Sequence, residues 1–344
     1  MNLKESKYSA FALVQEMMDT VATVRKFDPA VADKVAADAA RRGNLLLTGE
    51  GSSRIMPAKN AIRKALGWGV KERIVTEGAT QAAEYDLKDF TVVCSSNSGR
   101  TKETLSLARK LREERSKGGC CCCSEGGKGL FALTANEATP LEETCGDAYV
   151  LRCGWENAVA ATKSVVEQVL FEEAIVRKLA GREMDITGLD EKIESALTLP
   201  VPQQIVDWAR GAKTIYFAGM NDGVAEELTL KTNEITRRKS DFLEGTYALH
   251  GPEEVMQEGD IVFIVEPIKS EYEKYKTVFD GAGVHVVAIA KEQTPFTTVV
   301  VPEAGEYQQY VDLCAGWNVL VEIGVADNIN LDKPQRARKV GNEM

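Results

Sequence analysis

Short apolar runs alternate with helical stretches along most of this chain, and that alternation narrows the folds open to it. The runs are "NLLLTG", "RIVTEG", "FTVVCS", "LFALTAN" and "DAYVLRC" in the first half, and "TIYFAG", "DIVFIVEP", "HVVAIA" and "TTVVVPE" in the second. A strand with one wet face alternates apolar and polar side chains. Strands apolar throughout, separated by helices, predict a parallel sheet covered on both faces. Between the runs lie helical patterns: "EGSSRIMPAKNAIRKALGWG", closed by Gly67 or Gly69, then "TQAAEYDL", "RTKETLSLARKLREE", "DGVAEELTLKTNEITRRK" and "EYEKYKTVFDGAG". "DFLEGTYALHGPEEV" reads as a short strand or helix plus a turn.

Residues 1–42 read as helices ending at a glycine. "NAVAATKSVVEQVLFEEAIVRKLAG" reads as one long helix, 187–210 as a further helical region, and "YVDLCAGWNVLVEIGVADNI" as a closing helix. A weak internal duplication sets "LLLTGEGSS" plus helix beside "IYFAGMNDG" plus helix. The expected fold class is α/β, with two doubly wound parallel-sheet domains. Expected boundaries are 1–42 for N-terminal helices, 43–153 for the first sheet domain, 154–210 for a helical connection, 211–327 for the second, and 328–344 for a tail.

Composition removes several function classes. Of 344 residues, 52 are Asp or Glu and 42 are Lys or Arg, a formal charge of -10, so nucleic acid is not an expected partner. No apolar run reaches the roughly 18 residues of a membrane helix, and no signal-peptide pattern opens the chain. The expectation is a soluble cytoplasmic protein. Cys94, Cys145, Cys153 and Cys314 are scattered, as suits reduced thiols. Cys120 to Cys123 are consecutive inside "SKGGCCCCSEGGKG", which reads as an inserted surface loop; adjacent cysteines are poorly placed to close a tetrahedral metal site. No metal or cofactor is expected.

Two turns carry a chemical signal. "GEGSS" (Gly49 to Ser53) leaves the first strand and "SSNSGRT" (Ser95 to Thr101) leaves a later one. Glycines such as Gly51 let backbone approach a ligand. Ser52, Ser53, Ser96, Ser98 and Thr101 offer hydroxyls, and the helix after each turn offers unpaired N–H groups. A sugar phosphate fits such a pair of turns. Helix capping is the plainer role for each hydroxyl taken singly. Neither turn is a Walker loop or a Rossmann fingerprint. In the second half, Glu227, Lys231 and Glu234 stand at i, i+4, i+7, so they share one helix face. Such a row is either a solvated stripe or a proton-handling group. His285 begins a strand and reads as structural.

At this point a family resemblance is visible. "SSNSGRTKET" resembles the S-x-S-G-x-T-x-[ED]-T signature of the sugar isomerase (SIS) domain, and "GEGSS" resembles that family's G-[TS]-S turn. "ENAVAATKSVVEQ", "EELTLKTNEI", "LHGPEEV" and "DKPQRARKV" are similar, in order, to segments of the isomerase half of glucosamine-6-phosphate synthase. The matched segments run from about residue 43 to 340. The resemblance implies two flavodoxin-like SIS domains. It implies that Gly51, Ser52, Ser53, Ser96, Asn97, Ser98 and Thr101 hold the phosphate, with Arg100 inside the turn, and that the Val159 backbone lines the sugar. It implies Glu234 as the base moving a proton between C1 and C2, with Glu227 and Lys231 as further polar positions on that helix. It implies His250 as the ring-opening residue, reaching a neighbouring subunit's site, and Lys339 as a contact to the open-chain sugar. A homodimer or larger homo-oligomer is therefore expected.

The sequence also departs from that pattern. Asn2 follows Met1, and no glutaminase domain is visible, so glutamine-dependent amination is not expected. Tyr247 stands three residues before His250, where the family often has Glu, with Glu244 three residues earlier. Glu50 takes the place of a cysteine in the synthase. These changes surround the sugar and bear on substrate more than fold. The expected activity is aldose–ketose isomerisation of a C6-anionic, most simply 6-phospho, sugar. Beside it stand a fructosamine-6-phosphate deglycase or amino-sugar-phosphate deaminase, an isomerase of a 6-sulfonated sugar, and a non-catalytic phosphosugar sensor.

Overall fold

The computed structural model describes residues 1–117 and 129–338. The run Cys120 to Cys123 and Lys339 lie outside the described residues. Two five-stranded parallel sheets are present. The first has β1 (Asn44–Gly49), β2 (Arg73–Glu77), β3 (Thr91–Ser95), β4 (Leu130–Thr134) and β5 (Ala148–Val150), in the order β2-β1-β3-β4-β5. The second has β6 (Ile215–Gly219), β7 (Ser240–Glu244), β8 (Ile261–Val265), β9 (His285–Ala290) and β10 (Thr297–Val300), in the order β10-β9-β8-β6-β7.

Renumbered from its own first strand, the second sheet repeats the first: 2-1-3-4-5, the flavodoxin-like order. The duplication expected from sequence is therefore a duplication of topology. Strands β3, β4, β6 and β8 are buried along their whole length, which accounts for their lack of polar alternation. "DFLEGT", left open between strand and helix, is the edge strand β7, parallel to β6 with Ile215 opposite Ser240.

The chain divides into two compact units, each around one sheet. One gathers Met1–Arg25, Glu156–Thr162 and Ile186–Arg336, and carries the second sheet; the other gathers Lys26–Trp155 and Lys163–Asp185 and carries the first. The first-sheet unit has a core that includes Leu46, Val92, Cys94, Leu105 and Leu130. The second-sheet unit has one that includes Tyr216, Ala218, Val262, Tyr275 and Phe279.

Three helical readings are corrected. The long helix starts at Lys163, not at Asn157, and runs to Leu179. Residues 157–162 are not helical, because side-chain carboxylates take the N–H groups of Asn157, Ala158 and Thr162. The stretch 187–210 is two helices, Leu189–Thr198 and Gln203–Gly211, separated by a segment that contains Pro200 and Pro202. The helix begun at Val224 is α-helical only to Lys231 and continues as a π-helical turn, Thr232–Thr236. Of the two glycines offered as closers of the Ile55–Trp68 helix, Gly69 is the one in left-handed conformation. Among the described residues, no helix is long and apolar enough to cross a membrane.

Candidate active site

In the first sheet, β1 and β3 are neighbours whose connections leave toward opposite sides, which makes their C-terminal ends a switch point. Both hydroxyl-rich turns begin there. Gly49 ends β1 beside Ser95, and a Cβ on Gly49 would stand 2.7 Å from the Ser95 carbonyl oxygen, so only glycine fits. The chain then turns through Gly51–Ser53 into the Ile55–Trp68 helix. No side chain caps either of these elements at its N-cap residue, so capping does not account for Ser53. Ser52 and Ser53 are half-buried and Gly51 is exposed. Glu50 is used locally: its Oε1 accepts the Ala79 N–H at 3.0 Å.

The second turn is braced by its own hydroxyls. Ser96 Oγ lies 2.8 Å from Thr101 Oγ1 and accepts the Gly99 N–H at 3.1 Å. Ser98 Oγ accepts the Arg100 N–H at 3.1 Å. The Asn97 carbonyl accepts from Ala135 N–H at 3.0 Å and Asn136 Nδ2 at 3.1 Å. Gly99 has φ +65°, a conformation that favours glycine. Arg100 is exposed at the head of the Lys102–Lys117 helix. The result is a rigid turn at a helix N-terminus, suited to an anion.

The second-sheet unit holds the ionic cluster. Lys231 Nζ lies 2.7 Å from Glu234 Oε2 and 3.3 Å from Glu227 Oε1, so the spacing read from sequence does bring the three together. Glu227 and Lys231 are sealed from solvent, whereas the Glu234 side chain keeps 26% exposure. Burial works against the Lys231 ammonium, but the charges of Glu234, Glu227 and Glu156 outweigh it and hold its pKa above the ordinary lysine value. The π-turn widens the helix where Glu234 sits, a feature frequent at functional sites.

Val159, half-buried, donates its N–H to the Asp332 carbonyl at 3.4 Å. His250 is exposed on the turn after the Tyr247–Leu249 helical turn, its N–H bonded to the Tyr247 carbonyl. His285 stacks on Trp208 at 4.3 Å between ring centroids. Glu156 was missed as a member of the cluster. Its only signal was its place at the head of "ENAVAAT", and it is 1% exposed.

No family model matches the chain. It is 26% identical over 277 residues to a glutamine–fructose-6-phosphate aminotransferase (isomerizing) of Leifsonia xyli, a match covering 72% of this chain and 43% of that one. A Clostridium perfringens protein of the same name is 27% identical over 209 residues, 56% of this chain and 32% of that one. The chain thus spans less than half the length of the curated relatives it matches. Among solved structures, it is similar to the C-terminal domain of glucosamine-fructose-6-phosphate aminotransferase from Francisella tularensis. That match has a TM-score of 0.70 and 16% identity, over 94% of this chain and 98% of that one. It is also similar to tagatose-6-phosphate ketose/aldose isomerase from Escherichia coli, with a TM-score of 0.73 and 15% identity, over 95% and 96% of the two chains. With the same strand order repeated in two sheets, the chain has the fold of these solved structures, and its sequence is similar to part of the aminotransferases it matches.

Proposed function

We propose that the protein is an aldose–ketose isomerase of a C6-anionic sugar, most simply a sugar 6-phosphate. Isomerisation needs the ring opened and one proton moved between C1 and C2 through an enediol. A carboxylate with one open face can move that proton, provided something fixes its orientation. The carrying observation is the Lys231 ammonium, sealed inside the protein and bonded at 2.7 Å to Glu234, the exposed member of the trio. Glu234 is then the proton-transfer base. Lys231 holds its carboxylate in place, and Glu227 balances the buried charge.

The turns Gly51–Ser53 and Ser96–Thr101 bind the anion in this reading, with Asn97 and Arg100 in the second turn. The Val159 carbonyl meets a sugar hydroxyl, His250 assists ring opening, and Lys339 contacts the open chain. His250 serves a neighbouring subunit's site, so the working form is a homo-oligomer. Exposed Tyr247 and Val255 flank His250 at 55% and 69% exposure, an apolar surface of the kind that marks contacts between proteins.

Proton NMR in D2O with a panel of sugar 6-phosphates, 6-sulfonated sugars and fructosamine 6-phosphates tests the reading. Deuterium entering C1 or C2 as aldose and ketose interconvert is the expected result. Release of free amine instead makes the protein a deglycase or deaminase that shares the first proton transfer. Glu234→Gln should lower exchange about 10²–10⁴-fold while leaving sugar-phosphate binding in place. Full exchange by that variant removes Glu234 from the chemistry. Binding without exchange by the wild-type protein turns the reading to a sensor.

A further inference from the structure

Two carboxylates, Glu16 and Glu156, and the Asp332 backbone carbonyl fix the backbone of residues 156–162, and Glu16 and Asp332 come from distant parts of the sequence. Glu16, 4% exposed on the Ala12–Lys26 helix, accepts the N–H groups of Asn157 and, at 3.3 Å, of Ala158. Asp332 accepts the Ala12 N–H at 3.0 Å and the Leu13 N–H at 2.8 Å, so it caps that same helix. Its backbone carbonyl takes the Val159 N–H at 3.4 Å. Glu156 closes the segment on itself, accepting the Thr162 N–H at 2.7 Å and its hydroxyl at 3.2 Å.

The sequence of this segment points elsewhere. "NAVAAT" holds three alanines, the strongest helix former, and directly precedes the helix that starts at Lys163. A helix continued backward through residue 157 would bond its N–H groups only from its fifth residue on, so the donors of residues 157–159 need acceptors from elsewhere. In the structure the N–H groups of Asn157, Ala158 and Thr162 go to the side chains of Glu16 and Glu156, and that of Val159 goes to the Asp332 backbone carbonyl. Local preference overridden by distant acceptors is the pattern expected where function demands a particular backbone. The held segment brings Glu156 into the electrostatic neighbourhood of Lys231.

We propose that Glu16 and Asp332 are positioning residues: Glu16 on the Ala12–Lys26 helix and Asp332 at that helix's N-terminus form a clasp that holds the backbone of residues 157–159 out of helix. The clasp rests on the isomerase reading for its purpose, but not for its existence. It assigns the N-terminal helix, which contributes no group to the chemistry, a part in catalysis. The Asn157, Ala158 and Val159 N–H donors are thus spent inside the protein.

The isosteric changes Glu16→Gln and Asp332→Asn test it by amide hydrogen exchange and kinetics together. Exchange at residues 157–159 should rise about tenfold or more, the size expected for losing one charge-assisted bond, while Ile215–Gly219 and Ile261–Val265 stay as protected as before. With a turned-over sugar phosphate, kcat should fall about tenfold with the sugar-phosphate Kd unchanged within about twofold, since orientation and not anion binding is lost. Unchanged exchange at 157–159 in both variants overturns the clasp. So does an equal rise in the two strands, which would mean support of the fold as a whole. A wild-type protein that turns over no sugar sinks the isomerase reading and leaves the exchange measurement to decide the clasp.

Discussion

Glu172 stands in the Lys163–Leu179 helix at 1% exposure, its Oε1 accepting from the Ser95 hydroxyl at 3.3 Å and its Oε2 without a hydrogen-bond partner. Burial pushes its carboxyl well above the ordinary range. In the unfolded chain it ionises from its ordinary pKa upward. The folded state therefore loses stability as pH rises past that value, by about 1.4 kcal/mol per unit until the folded pKa is reached. Glu172→Gln keeps shape and acceptor without the proton. Its urea midpoint should exceed that of the wild type at pH 7, with the gap closing toward pH 4. No gap at pH 7 would mean the group is ionised or solvated after all. The next residue shows the opposite solution: Glu173 is equally buried but meets Lys64 and Arg177, each at 2.7 Å. At this scale, legibility followed spacing. Glu227, Lys231 and Glu234 were visible because helical periodicity joins them. Glu16, Asp332 and Glu172 were not, because their partners are 141, 320 and 77 positions away.

At the scale of elements the apolar runs betrayed nine of the ten described strands, since buried parallel strands have no second pattern to imitate; the tenth, the half-exposed edge strand β7, has no such run. Helix ends were harder. The alanine-rich 157–162 reads as helix by propensity and is pulled out of it by tertiary bonds, and the π-turn at 232–236 leaves no mark in residue type. The Ser96–Thr101 turn stood out in the sequence because Gly, Ser and Thr have few other reasons to crowd one strand end. Its rigidity depends on Gly99. A Cβ there would stand 2.4 Å from both Cβ and Oγ1 of Thr139, the N-cap of the Pro140–Cys145 helix, and the backbone is left-handed as well. Gly99→Ala should cost about 2–4 kcal/mol from strain and overpacking combined. Urea unfolding would show the loss, and calorimetry with sugar phosphate should show weaker binding. Unchanged values in both would mean the turn does not depend on a bare backbone at that residue.

For the whole molecule, the sequence announced two sheet domains, and the repeated strand order gave that reading its geometry. Shared active sites make a further demand. If each site takes Glu234 from one subunit and His250 from another, two dead variants can repair each other. Mixed after reversible dissociation, Glu234→Gln and His250→Asn should regain about a quarter of wild-type activity, because half the dimers are hybrid and each hybrid has one intact site. A mixture as inactive as its parts would place both residues in the same chain's site.

The chain's path between its units also sets an order of events during synthesis. All five strands of the first sheet lie before residue 151, so that sheet's strands have left the ribosome long before the second sheet's. The Ala12–Lys26 helix belongs to the second-sheet unit, and its cap at Asp332 is 320 positions away. Contacts so distant in sequence form late. The Ala12–Lys26 helix is thus synthesised early and locked late, after the strands of both sheets have been made.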